Sequence, residues 1–347
     1  MKFKNLSMLV SSVVYLGVAC NSDNSQDISP EQLFTKPANF PAPVYNFDKN
    51  PMSVAGFELG KELFNDGDLS RDGSIACADC HNQAYAFTHH GHDVSHGIDN
   101  LKGVRNAPPI QNMAFQKEFF WDGGVFDLDL FSIAPIENPL EMDEKLGNVL
   151  EKLRKKEKYA TLFQKAYGSK EITTERFLKA LSQFMNALVS ANSRYDKYVR
   201  KEQGGILTED ELAGLEVFKQ KCASCHSGEL FTDQSYRNNG LPVYNLDDTG
   251  RGRITQNRKD EYTFKVPSLR NIEVSAPYMH DGRFYSLEAV LNHYNDGIVD
   301  SPTLDTSLKN GSKLGIQTTA DEQKKLIAFL KTLTDNDFLK NKRFGIQ

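Results

Sequence analysis

Cys77-Ala78-Asp79-Cys80-His81 and Cys222-Ala223-Ser224-Cys225-His226 are CxxCH pentapeptides, one in each half of a 347-residue chain. Nothing else in the sequence constrains it as strongly. In an exported protein the two thiols of such a motif add to the vinyl groups of a haem, and the adjacent imidazole takes one axial face of the iron. Two covalently bound c-type haems are therefore expected, on His81 and His226. Zinc is the competing use of paired CxxC, but both pairs run directly into His and lie far beyond zinc-ribbon spacing.

Export is legible at the N-terminus. Lys2 and Lys4 precede the apolar stretch Leu6 to Ala19, which is too short to span a bilayer comfortably and gives residues 1–20 the layout of a signal peptide. Four of the five cysteines belong to the haem motifs, which leaves Cys20 directly after the apolar stretch. Cys20 resembles the lipidation cysteine of a bacterial lipoprotein, although Gly17 stands where such signals usually carry Leu. Lipidation implies a membrane tether and ordinary cleavage a free product. Either route delivers the chain to the periplasm, where haem is attached. With the other cysteines committed, no intramolecular disulfide is expected.

The balance of 39% hydrophobic and 25% charged residues is that of a globular chain. A net charge of -5 offers no basic field for nucleic acid and suits a Lys-rich small redox partner better.

The organisation reads as a polar, Pro-containing linker over 21–40, an N-terminal haem domain over 41–200 and a C-terminal haem domain over 201–347. Phe177, Leu178, Leu181, Phe184, Met185, Leu188 and Val189 repeat at helical spacing and predict a helix over about 172–192. Tyr195 to Gly205 is polar and reads as an inter-domain joint. Thr208 with Glu211, and Thr319 with Glu322, form capping-box patterns that open two further helices. Strand alternation is scarce. Gly60-Lys61-Glu62-Leu63-Phe64 before the first motif parallels Gly214-Leu215-Glu216-Val217-Phe218 before the second. The expected fold is mainly α, with two cytochrome c-like haem domains and loop-rich connections.

Arg105-Asn106-Ala107-Pro108, Phe119-Phe120-Trp121-Asp122-Gly123 and Pro135-Ile136-Glu137-Asn138-Pro139-Leu140-Glu141-Met142 follow one another after the first motif. Val266-Pro267-Ser268-Leu269-Arg270-Asn271 and Ala276-Pro277-Tyr278-Met279-His280-Asp281-Gly282-Arg283 follow the second. With both haem motifs in this order, the chain resembles the bacterial di-haem cytochrome c peroxidase family, which includes the MauG-like enzymes. The resemblance implies reduction of hydrogen peroxide with electrons from a small donor protein, a cytochrome c or a cupredoxin. Electrons would enter at the C-terminal haem and pass to the N-terminal one. It implies a homodimer as well.

Residue roles follow from the same resemblance. Glu141, by itself an ordinary Glu in a Pro-rich loop, takes the place of the family's distal carboxylate, which moves a proton between the peroxide oxygens. Trp121, by itself an ordinary core aromatic, takes the place of the bridging Trp between the haems. Asn106, with the backbone carbonyls of Lys265 and Pro267, corresponds to the ligands of a calcium ion.

Departures from the pattern concern the distal faces. His96 lies near the place of a loop His that ligates the resting peroxidatic iron, but an ungapped alignment puts Ile98 there. Phe131 stands where many peroxidases have a pocket Gln. Opposite His226 the equivalent position is Tyr294, as in MauG-like proteins, with Met279 as the alternative. His89, His90 and His92 read as a solvated loop. A MauG-like oxidase of a protein side chain and a non-enzymatic di-haem carrier are the rival functions.

Overall fold

Two helix crossings organise the molecule, and a glycine sits at each. Helix Val54–Phe64 lies across helix Thr174–Ala187 so closely that a Cβ on Gly60 would stand 2.0 Å from the carbonyl oxygen of Ala180. Helix Glu209–Lys221 meets helix Ala320–Lys331 in the same manner, with a Cβ on Gly214 1.9 Å from the carbonyl oxygen of Lys325. Only a residue without a side chain allows either approach. The computed structural model describes residues 29–244 and 248–345. The leader over 1–20, Cys20 and the first residues of the expected linker lie outside them.

Both capping boxes form. Thr208 N–H donates to Glu211 Oε2 at 2.8 Å and Thr319 N–H to Glu322 Oε2 at 2.8 Å, which satisfies donors that a helix start leaves free. Phe57, Leu63, Phe64, Phe177, Leu181 and Phe184 fill the N-terminal core, and Leu215, Phe218, Phe231, Leu326 and Phe329 the C-terminal one. The only named strands among the described residues are two antiparallel pairs, Tyr236–Arg237 with Phe264–Lys265 and Lys309–Asn310 with Lys313–Leu314. The mainly α expectation therefore holds. No helix among the described residues is long and apolar enough to cross a membrane.

Long-range contacts override the sequence reading in several places. The helix expected to 192 ends at Ala187, because Asn112 captures the chain beyond it. Asn112 N–H donates to the Leu188 carbonyl at 2.8 Å, and its side chain bonds both the amide and the carbonyl of Ser190. Leu33 and Phe40, within the expected linker, are buried, with Phe40 edge-on to Phe115. The polar joint is not loose either. It contains helix Arg194–Val199, whose Asp196 is fully buried against Arg270, while Tyr195 packs on Phe231 and Phe329 of the C-terminal core. The end of the chain crosses back, so that Phe338, Leu339 and Phe344 belong to the N-terminal core. In the C-terminal half the lead-in helix runs straight into Cys222, whereas in the N-terminal half residues 65–76 intervene before the short helix Cys77–Cys80.

Candidate functional site

Each CxxCH motif folds as a single turn that brings thiols and imidazole to one cavity. The His81 amide donates to the Cys77 carbonyl at 2.9 Å, and the His226 amide to the Cys222 carbonyl at 3.0 Å. Each ring is then fixed from behind. His81 Nδ1 pairs with the Phe87 carbonyl at 2.7 Å, and His226 Nδ1 with the carbonyls of Phe231 and Pro267, both at 3.1 Å. A carbonyl can only accept, so Nδ1 carries the proton and Nε2 keeps its lone pair for a metal. Burial pushes the His81 pKa down to about 4 and lowers that of His226, which keeps both rings neutral. None of the four motif cysteines is taken up in a disulfide. Two thiols with a neutral, oriented imidazole fit a c-type haem at each cavity.

The His81 cavity is small, about 50 Å³, and is lined by Cys77, Cys80, His96, Phe131 and Glu141. Three separated sequence predictions thus meet the first haem motif at one place. Glu141 sits on a turn whose first residue clamps it: Asn138 Nδ2 donates to Glu141 Oε1 at 2.7 Å, and the Glu141 amide donates to the Asn138 carbonyl at 2.9 Å. Burial raises the Glu141 pKa, with the Asn138 bond opposing it. Of the two candidates for the loop position, His96 lines the cavity, while Ile98 is buried at 1% exposure and does not. Phe131 stacks on Phe120 with ring centroids 4.6 Å apart and makes this wall apolar.

The His226 cavity is larger, about 230 Å³, and is lined by Cys222, Cys225, Trp121, Met279 and Tyr294. Asn106, Lys265 and Pro267 line it too. Burial pushes the Tyr294 hydroxyl up to about 12, so it is neutral without a metal partner. Met279 sulfur accepts from Asn239 Nδ2 at 3.3 Å. His280, half-buried and stacked on Phe264 at 3.6 Å, also reaches this cavity.

One stretch of chain walls both cavities. Pro109 lines the His226 side and Ile110 the His81 side. Phe119 and Phe120 pack on Phe131, while Trp121, 8% exposed, turns to the His226 side. Trp121 is fixed at both ends: Nε1 donates to the Asn106 carbonyl at 2.8 Å, and its carbonyl accepts from the Lys265 amide at 2.8 Å. Around it, Arg105 joins Asp122 to Asp248, each at 2.6 Å.

The loop histidines are arranged in sequence rather than around a point. His92 Nδ1 meets His89 Nε2 at 3.2 Å and stacks on His96 at 4.7 Å, and no group of three His, Cys, Asp or Glu among the described residues is placed to hold a metal ion. The calcium donors fit only a largely hydrated ion, since Asn106 and the Lys265 and Pro267 carbonyls supply three neutral oxygens of the roughly six to eight that calcium takes. Sequence reasoning missed Asn138 and Asn239. An Asn three residues before Glu141 was the available signal for the first, and the second had none.

Comparison with known proteins converges on one family. The sequence profile described as di-haem cytochrome c peroxidase matches residues 54–204. The methylamine utilization protein MauG of Methylophilus methylotrophus is 31% identical, over 96% of this chain and 96% of its own length. Cytochrome c551 peroxidase of Nitrosomonas europaea is 35% identical, over 80% of this chain and 79% of its own. A crystal structure of a MauG-like protein associated with microbial copper homeostasis superposes with a TM-score of 0.79 at 33% identity, covering 89% of this chain and 97% of that one.

Proposed function

This chain belongs to the di-haem cytochrome c peroxidase family, and on that premise we propose that it reduces hydrogen peroxide to water with electrons from a small redox protein, a cytochrome c or a cupredoxin. Haem on Cys77, Cys80 and His81 supplies the iron at which peroxide is cleaved, and haem on Cys222, Cys225 and His226 the iron that collects electrons. Each peroxide takes up two electrons and two protons and leaves as two waters. Glu141 accepts a proton from one peroxide oxygen and returns it to the other, which departs as water. Asn138 holds the carboxylate in place, and Phe131 keeps the wall dry. Electrons enter in the His226 half and reach the His81 half by way of Trp121.

The observation that carries this reading is the shared lining of one small cavity by His81, Cys77, Cys80 and Glu141. Tyr294 is the proposed ligand opposite His226, with Met279 the alternative. His96 is the proposed resting ligand opposite His81. A hydrated calcium on Asn106, export through residues 1–20, a tether at Cys20 and a homodimer complete the proposal.

The test is donor oxidation by purified holoprotein. Reduced cytochrome c or cupredoxin should be consumed on addition of peroxide, and Glu141→Gln should slow it. No peroxide-dependent oxidation, together with no effect of that substitution, would overturn the proposal.

Tyr294, partly buried on the wall of the His226 cavity, favours a second reading, a MauG-like oxidase of a protein side chain. Stoichiometric modification of a protein substrate by peroxide, with no donor consumed, would decide for it.

A further inference from the structure

The cavity above His81 is walled by two loops, and one arginine holds both. Arg71 donates from Nη1 to Asp143 and from Nη2 to Asp99, each at 2.5 Å. Asp143 follows Glu141 on its loop, and Asp99 follows His96 on the other. The backbone repeats the connection. Arg71 N–H donates to the Met142 carbonyl at 2.9 Å, and Ile98 N–H to the Glu141 carbonyl at 2.8 Å.

Three further features make the two loops one unit. Gly97 lies so close to the Glu141 loop that a Cβ would stand 2.1 Å from the Leu140 carbonyl oxygen and 2.6 Å from the Glu141 Cα. Asp99 and Asn100 both have φ of +57°, a left-handed pair that needs outside support, and Asn100 Oδ1 holds His96 Nδ1 at 2.8 Å. Beneath them Lys152 Nζ donates to the Ser70 carbonyl at 2.6 Å, which anchors the chain that carries Arg71.

We propose that Arg71 is a positioning residue that latches the His96 loop to the Glu141 loop, so that imidazole and carboxylate keep one register above His81. A guanidinium is suited to this because its rigid fork reaches two carboxylates at once, which an ammonium does not. Arg71 is 45% exposed and Asp99 65%, so the latch is open to screening by salt. The inference rests on Glu141 as the proton-transfer group of the cavity, but the latch is read without turnover.

The experiment measures hydrogen exchange at the Ile98 amide and the spin state of the N-terminal haem in the ferric holoprotein, wild type against Arg71→Gln. Freed loops should exchange Ile98 about three- to tenfold faster, the range expected for losing two exposed pairs. The proportion of high-spin iron should change in parallel, with core amides of helix Thr174–Ala187 unaffected. Arg71→Lys should not restore the wild-type values. Added salt should move the wild type toward the variant and leave the variant unmoved. Wild-type exchange and spin state in Arg71→Gln would overturn the proposal, as would faster exchange spread evenly over the molecule. If Arg71→Gln fails to fold, Asp99→Asn and the salt series on wild-type holoprotein answer the same question. Absence of peroxide turnover in the wild type, with the Ile98 response to Arg71→Gln intact, would count against Glu141 and leave the latch standing.

Discussion

In the C-terminal half the lead-in helix delivers Cys222 directly, and its cavity is wide, with the single lining carboxylate, Asp305, paired to Arg237 at 2.9 Å. In the N-terminal half residues 65–76 intervene, the cavity is about a fifth of that size, and the Glu141 carboxylate accepts from neutral Asn138. The two carboxyls respond in opposite directions. Burial works against the Asp305 carboxylate, yet Ser307 and Arg237 hold it below its ordinary range, whereas burial dominates at Glu141 and raises it. The same kind of helix crossing therefore lies beneath two unlike cavities. The loops laid over it set the surroundings of the carboxyl in each cavity.

The sharpest way to break this contrast is Glu141→Gln, which should lower kcat/KM for peroxide by about a hundredfold or more, the range of a lost acid–base group. The wild-type pH profile adds a sign. A raised carboxyl pKa means that the accepting carboxylate is present above that pKa and is lost as pH falls through it. The acid limb should thus lie above the ordinary 4.5 and disappear in the variant. An unchanged profile would make the halves chemically alike.

Next in size is the joint that both halves share. Asp196 and Arg270 are fully buried in their ion pair. Asp196→Ala leaves an unpaired buried guanidinium and should cost about 3–5 kcal/mol in denaturant unfolding. A loss confined to one half, read by that half's haem spectrum, would show that the joint belongs to a single domain.

The equivalence of the two crossings can be tested in parallel. Gly60→Ala and Gly214→Ala each force a Cβ onto a backbone carbonyl and should each destabilise by about 1–3 kcal/mol. Unequal losses would mean that one crossing is held more by its neighbours than by its own contact.

The smallest expected effect is at the dry wall. Phe131→Gln should lower KM for peroxide by up to about fivefold, one hydrogen bond's worth, while lowering Tm through loss of the stack with Phe120. An unaltered KM would show that the cavity is governed by Glu141 alone.

Much of this arrangement was legible in the residues. The CxxCH motifs and the capping boxes depend on neighbours within a few positions, and each formed where it was expected. What failed to show depends on partners far along the chain. Asn112 stops a helix that its own periodicity would continue, and Arg270 turns a polar joint into a buried ion pair. Glu141 and Trp121 became legible only through resemblance, because nothing local distinguishes them from an exposed acid and a core aromatic. His96 and Phe131, likewise singled out only through the resemblance, line the His81 cavity. Asn138 was readable in principle, whereas Asn239 acts through a fold that had first to exist.

The returning segment places residues 338–344 behind the first haem motif. Phe338 and Phe344 pack on Phe87, with ring centroids 5.6 and 6.1 Å away, and Phe87 supplies the carbonyl that orients His81. Gln83 donates to the carbonyls of Phe338 and Asn341 from the same loop. The support behind the N-terminal site thus comes from the far end of the sequence. A chain clipped before Phe338 should therefore hold a first site whose His81 lacks part of its bracing.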